Sequence, residues 1–216
     1  MKYPFVFFDL DGTLLNTLDD LCDAVNTILA KYGMPPITPE ATTAFLGNGA
    51  GWLIHCAVPK GTDAALEQQI LADYKAYYAS HCRIKTAPFP GIMDMLSALR
   101  KAGVRMAVVS NKPDGPVREL SELFFGGLME QAVGEMPGIR RKPAPDTVFE
   151  VMHRMDAPAA ESVYIGDSEV DLEMAENCGL PCISVTWGFR SEKQLRESGA
   201  KQLVHSAEEL KDLLLG

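Results

Sequence analysis

The sequence predicts an α/β protein: a doubly wound, Rossmann-like parallel sheet carrying an inserted all-helical cap domain. Three observations support this fold class. A short aromatic run, Tyr3 to Phe8, leads directly into Asp9-Leu10-Asp11-Gly12. Between Asn16 and Arg83 there is no strand pattern, and apolar residues recur at helical spacing. After Pro90-Gly91 helical and strand patterns alternate, which implies right-handed crossovers and a parallel sheet. The expected organisation is a core of residues 1–15 and 84–216 with a cap of residues 16–83.

The first run is continuously apolar, as expected for a central strand buried on both faces and ending near Asp9. From Leu18, the residues Leu21, Cys22, Val25, Ile28, Leu29 and Tyr32 follow at helical intervals, until Gly33 and Pro35-Pro36 stop the helix. Two shorter helical stretches flank Gly47-Asn48-Gly49. A longer helix follows Thr62, a good N-cap, with Leu66, Ile70, Tyr74, Tyr77 and Tyr78 on one side. The alternating half begins with a helix from Ile92 to Ala102, a strand Val104–Val109 and a helix ending near Phe124. A weak strand at Gln131–Val133 precedes the helix Asp146–Met155. Strand Val163–Ile165, helix Val170–Asn177, strand Pro181–Val185 and two terminal pieces complete the pattern.

Over 216 residues, 47% are hydrophobic and 23% charged, ordinary values for a globular chain with a sizeable core. The formal net charge of -9 opposes a nucleic-acid partner, and Arg140-Arg141-Lys142 is the one three-residue basic run. Five cysteines without a CxxC pair read as reduced, small apolar residues. The start of the chain reads as neither a signal peptide nor a membrane span, so a cytoplasmic location is expected. A monomer or a dimer fits this pattern equally.

Open parallel sheets place their sites at the carboxyl ends of strands. Asp9 and Asp11 close the first strand, two residues apart and able to point the same way. Ser110-Asn111 closes the strand Val104–Val109, Lys142 lies in the loop before the helix at Asp146, and Asp167 and Asp171 follow the strand ending at Ile165. A carboxylate can take a phosphoryl group and split one hard displacement into two easier ones. A second can protonate the leaving oxygen and then deprotonate water. Phosphate and carboxylate repel each other, which calls for a hard, oxygen-liganded cation, and magnesium suits. A hydroxyl, main-chain amides and a lysine can hold the phosphoryl oxygens.

Together these motifs resemble the haloacid dehalogenase superfamily. Asp9-Leu10-Asp11-Gly12-Thr13 is similar to its nucleophile motif DxDGT, Ser110-Asn111-Lys112 to its second motif, and Lys142-Pro143-Ala144-Pro145 to its third. Gly166-Asp167-Ser168-Glu169-Val170-Asp171 is similar to the fourth. The helical insertion lies where the phosphoglycolate-phosphatase-like branch carries its cap. The resemblance implies Asp9 as nucleophile and metal ligand, and Asp11 as acid/base that lends its carbonyl to the metal. It implies Ser110, Asn111 and Lys142 as phosphoryl ligands, with Ser110 and Lys142 also catalytic. Asp167 would be a direct Mg2+ ligand, and Asp171 a ligand through water or an orienting neighbour. Gly47-Asn48-Gly49 resembles the cap loop that faces substrate, so these three residues are expected to bind it. The implied activity is hydrolysis of a small phosphomonoester, phosphoglycolate first among candidates.

Blander roles exist for each residue. Asp-Gly favours turns, Ser110 and Asn111 could cap a helix, Lys142 could be a solvated basic loop, and Asp171 could serve a helix dipole. His55 reads as structural, as do Trp187 and Arg190, and the histidines show no zinc spacing. A phosphorylated signalling receiver shares such residues but lacks an insertion after the first strand. A non-catalytic relative would leave the acids and the lysine unexplained, and a dehalogenase would not need Asp11. A phosphonatase would want a cap lysine, for which Lys31, Lys60 and Lys75 stand open; a sugar phosphomutase or pyrophosphatase also fits the motifs.

Overall fold

The computed structural model describes residues 2–216. Six parallel strands form the main sheet: β1 (Phe5–Phe8), β4 (Arg105–Pro113), β5 (Gln131–Glu135), β6 (Ser162–Gly166), β7 (Cys182–Val185) and β8 (Leu203–Val204), in the order β5-β4-β1-β6-β7-β8. Two short strands, β2 (Leu15–Asn16) and β3 (Ala87–Pro88), pair antiparallel in a separate ribbon. The chain order of the main sheet reverses between β1 and β6, and the carboxyl-end crevice at such a reversal is where open α/β sheets bind ligands.

Alternate residues of β1 serve opposite faces of the sheet. Phe5 and Phe7 pack with Val148 and Val151 of α7 (Asp146–Arg154) and Met174 of α8 (Glu169–Cys178). Val6 and Phe8 pack with Leu96 of α5 (Ile92–Lys101), Leu120 of α6 (Asp114–Phe125) and Leu214 of α10 (Ala207–Leu215). Cover on both faces is the reason the strand is apolar without alternation. α9 (Glu192–Glu197) completes the C-terminal region.

Four helices lie between β2 and β3: α1 (Leu18–Lys31), α2 (Pro39–Phe45), α3 (Gly49–Ala57) and α4 (Ala64–His81). Along α4 the buried positions are Ile70, Tyr74 and Tyr78, spaced four residues apart, and the two tyrosine rings stack with centroids 5.6 Å apart. The apolar interior of these helices is continuous with that of the sheet's α5/α6/α10 face. Where the chain returns to the core, buried Asp20 of α1 accepts the amides of Ile84, Lys85 and Thr86 and the Thr86 hydroxyl at 2.8–3.0 Å.

The structure departs from the sequence reading at three places. The N-cap of α4 is Asp63, whose carboxylate accepts the Ala65 and Leu66 amides, while the Thr62 hydroxyl donates to Pro59 O at 2.7 Å. β4 runs on through Ser110 and Asn111 to Pro113, because its pairing with β5 shifts register after Val109 and resumes at Pro113. The β2–β3 ribbon is two residues per strand, too short to show an alternation. Among the described residues no helix is long and apolar enough to cross a membrane, and all five cysteines are free thiols.

Candidate active site

The carboxyl ends of β1, β4 and β6 converge on one cleft, roofed by α1, α3 and α4. Its lining includes Asp9, Asp11, Ser110, Asn111, Lys142 and Asp167. The space open to water within it is about 50 Å3, room for a few waters. The roof is apolar, built from Leu21, Leu46, Ala50, Leu53, Tyr74 and Tyr78.

Asp9 is placed by the β1–β6 ladder, its amide donating to Ile165 O at 2.9 Å. Its buried Oδ1 lies 2.8 Å from Lys142 Nζ, an ion pair. Lys142 also directs its ammonium to Asp171 Oδ1 at 2.7 Å and to the Tyr164 hydroxyl at 2.9 Å. Asp171 Oδ2 accepts the Ser168 hydroxyl at 2.7 Å and its amide at 3.2 Å. Both oxygens of Asp171 are therefore engaged, which suits an orienting residue.

Asp167 is fixed by main chain and hydroxyl: Phe189 N donates to Oδ2 at 2.7 Å and Thr13 Oγ1 to Oδ1 at 3.3 Å. Backbone crowds this side chain closely. A Cβ on Gly12, whose φ is +84°, would fall 2.3 Å from Asp167 Oδ2, and one on Gly188 would fall 2.3 Å from Asp167 Cβ. Only glycine permits either approach.

Asp9, Asp167 and Asp171 bring carboxylate oxygens within 4.8 Å of one another. Burial pushes Asp9 up to about 7, with Lys142 opposing and the other acids adding to the rise. Burial likewise raises Asp167 well above the usual carboxylate range, reinforced by Asp171 and Asp9. Burial works against the Lys142 ammonium, but Asp171 and Asp9 outweigh it and hold its pKa well above the ordinary lysine value. When all are ionised, three carboxylates face one ammonium, leaving two negative charges in a buried space. This set of clustered carboxylate oxygens fits a hard divalent cation.

Asp11 faces the roof. Its carboxylate accepts the Thr17 hydroxyl at 2.7 Å and Lys112 Nζ at 2.8 and 3.0 Å. Lys112 is buried, and its ammonium sits 4.6 Å from the centroid of the Tyr78 ring. The Tyr78 hydroxyl is buried with no hydrogen-bond partner, a state that ordinarily costs about 1–3 kcal/mol.

Of the residues expected to bind phosphate, Ser110 and Lys142 face the cleft with polar groups. Ser110 Oγ accepts the Lys112 amide at 3.3 Å. Asn111 lines the cleft, but its side-chain nitrogen already donates to Gly47 O at 2.9 Å and Lys142 O at 2.8 Å, bridging roof and floor. Gly47 and Gly49 line the cleft and Asn48 does not; Asn48 occupies the N-cap position of α3 without a side-chain cap bond. His55 lies at the surface, 3.1 Å from Glu67. Lys31 pairs with Asp73 and Lys75 with Glu135, and the lysines lining the cleft are Lys112 and Lys142, neither of them on a roof helix.

Sequence reasoning passed over Lys112, Tyr78 and Phe189. Lys112 stood inside a quoted motif, and Tyr78 stood in an apolar helical stripe that also describes core. Trp187 and Arg190 do brace the site. Trp187 donates to Thr13 O at 3.0 Å. Arg190 pairs with Glu169 and donates to Thr43 O and Leu46 O of the roof, each at 2.9 Å.

The model of the family described as haloacid dehalogenase-like hydrolase matches residues 6–185. The phosphoglycolate phosphatase of Pseudomonas syringae pv. syringae (strain B728a) is 34% identical over 216 residues, 97% of this chain and 79% of that protein. The phosphoglycolate phosphatase of Rhodospirillum rubrum is 32% identical over 195 residues, 87% of this chain and 81% of that protein. A crystal structure from Lactobacillus delbrueckii subsp. bulgaricus, provisionally assigned as a phosphoglycolate phosphatase, superposes with a TM-score of 0.94 at 39% identity over the whole of both chains. The phosphate complex of CbbY from Rhodobacter sphaeroides shares the fold, with a TM-score of 0.80 at 23% identity and 96% of each chain covered. Four strand-end motifs on a reversed parallel sheet, a roofed acidic cleft and these matches agree: the chain belongs to the haloacid dehalogenase-like hydrolases.

Proposed function

We propose that this protein is a phosphatase for a small phosphomonoester, with phosphoglycolate as its substrate and Asp9 as its nucleophile. The observation that carries the reading is Asp9: a buried carboxylate at the end of β1, paired with Lys142 at 2.8 Å and sharing its cleft with Ser110 and Asp167. The substrate assignment draws on the relatives named phosphoglycolate phosphatase.

In this reading, Asp9 attacks phosphorus as the bond to the ester oxygen breaks. Asp11 gives that oxygen a proton and so releases glycolate. Asp11 then takes a proton from water as the water oxygen attacks the acyl phosphate, and Asp9 leaves phosphorus with its electron pair. Ser110 and Lys142 hold the phosphoryl oxygens, and Asn111 sets the distance between roof and floor. Asp9 and Asp167, with the Asp11 carbonyl, would hold Mg2+, and Asp171 would orient Lys142 and the first turn of α8. The bound ion would screen the nucleophile from the phosphate charge. Residues 16–83 act as a cap that closes over substrate and excludes water. Five free thiols fit a reducing cytoplasm.

The test is phosphate release from phosphoglycolate with Mg2+, with an acid quench to trap labelled phosphoprotein. The parent should turn over and label at Asp9. Asp9→Asn should fold, fail to label and lose turnover by at least about 10⁴-fold, the scale seen when a covalent nucleophile is removed. Undiminished turnover in Asp9→Asn, or after exhaustive chelation, would overturn the reading.

A further inference from the structure

Where the roof meets the core sheet, the cleft holds two polar groups that the phosphoryl chemistry does not use, Tyr78 on α4 and Lys112 on β4. The Tyr78 hydroxyl is buried and without a partner, on a side chain that lines the cleft. Lys112 Nζ lies over the same ring, 4.6 Å from its centroid, and is itself buried. An ammonium has three hydrogens. Its protein hydrogen bonds all go to Asp11, so at most two hydrogens are engaged and at least one donor is free. Leu21, Leu46 and Leu53 line the same wall, and the nearby charges are the carboxylates of Asp11 and Asp20. In a buried setting an unpaired donor is costly, so a lone hydroxyl near an ammonium with a hydrogen to spare implies an acceptor that arrives with the ligand.

The position of the pair says which part of the ligand that is. Asp9, Ser110 and Lys142 claim the phosphoryl end. Asp11, the leaving-group acid in that reading, is held by Lys112 at 2.8 and 3.0 Å. Lys112 and Tyr78 are therefore beyond the scissile oxygen, on the leaving-group side.

We propose that Tyr78 and Lys112 form a carboxylate-reading subsite for the leaving group, so that the enzyme selects phosphate esters bearing a carboxylate close to the ester oxygen. This rests on the phosphatase reading of the same cleft. A carboxylate is the acceptor that uses both donors: one oxygen takes the Tyr78 O–H and either takes the Lys112 ammonium. A neutral alkyl end would leave both donors idle. An alcohol oxygen would satisfy one of them and gain little from the charge.

The experiment compares phosphoglycolate with ethyl phosphate, its uncharged two-carbon counterpart, using the full chain with Mg2+. The readout is the ratio of their kcat/KM values in the parent, Tyr78→Phe and Lys112→Met. The parent should favour phosphoglycolate, and Tyr78→Phe should cut the ratio by about 10-fold, the worth of one hydrogen bond to a charged group. Lys112→Met should cut it by about 10- to 100-fold. Because Lys112 also touches Asp11, Tyr78→Phe decides the matter if Lys112→Met is misfolded by circular dichroism. A parent that hydrolyses both esters equally well, or a ratio that stays within about twofold in Tyr78→Phe, overturns the subsite and leaves the phosphatase standing. Hydrolysis of neither ester by the parent overturns the phosphatase reading, and the subsite with it.

Discussion

Asp20 accepts both the backbone amide and the hydroxyl of Thr86, at 2.9 and 2.8 Å, and so ties the first turn of α1 to the segment by which the chain re-enters the core. With Ile84 N and Lys85 N also bound, one buried carboxylate satisfies four donors. Asp20→Ala leaves those donors without their acceptor, and should destabilise the protein by roughly 2–4 kcal/mol. At this chain length that is a fall in Tm of roughly 5–15 °C. Asp20→Asn keeps one acceptor and should fall in between. An unchanged melting temperature in Asp20→Ala would show that the clamp adds nothing.

Asp11 is held by the Thr17 hydroxyl and the Lys112 ammonium. As a leaving-group acid, Asp11→Asn should slow phosphoglycolate turnover by about 10²–10⁴-fold, the usual worth of positioned acid/base catalysis. An aryl phosphate, whose leaving group needs no proton, should lose much less in the first step. Equal losses on alkyl and aryl esters, measured where that step limits the rate, would remove the acid role.

The metal-free protein should respond to pH in an unusual direction. Asp9 is raised by burial from the ordinary 3.8 to about 7, so between these values the folded chain binds more protons than the unfolded one. Stability contributed by that proton is present at low pH and lost as pH rises through about 7. In chelator, Tm should therefore fall between pH 5.5 and 8, and Mg2+ should restore more stability at pH 8 than at pH 5.5. A Mg2+ increment independent of pH would contradict a shared site for proton and metal.

Gly188→Ala would place a Cβ 2.3 Å from Asp167 Cβ and 2.4 Å from Gly12 O. Overpacking of this kind costs about 1–3 kcal/mol, and relief requires Asp167 to move. The variant should fold with a lowered Tm and lose most of the Mg2+-induced thermal shift. Retention of the full shift would show that Asp167 does not set the metal site.

Much of this architecture was legible because it rests on local patterns. The continuous apolar run of β1, the Pro-terminated α1 and the later alternation each reflect a period that burial imposes. Asp9, Ser110, Lys142 and Asp167 could be read because strand ends in a parallel sheet must meet. What remained hidden depends on distance in sequence. Nothing local to Lys112 says that it will meet Asp11, 101 residues earlier, or the ring of Tyr78. Asn48 looked equivalent to its flanking glycines, yet only Gly47 and Gly49 have the positive φ values that turn the loop against the cleft. Arg190 read as plain support, and the carbonyls it grips lie 144 and 147 residues away.

Adjacent residues after β7 hold two different things. The amide of Phe189 fixes Asp167, and the guanidinium of Arg190 grips the carbonyls of Thr43 and Leu46 at the end of α2. One peptide unit thus acts as a lever arm between the roof and the acidic floor. If the roof moves as the cap proposed above, Arg190 must either release its carbonyls or draw Phe189 with it, and in the second case Asp167 loses its main-chain donor. Product escape and the grip on a cation would then be a single mechanical event, set by two neighbouring residues of one loop.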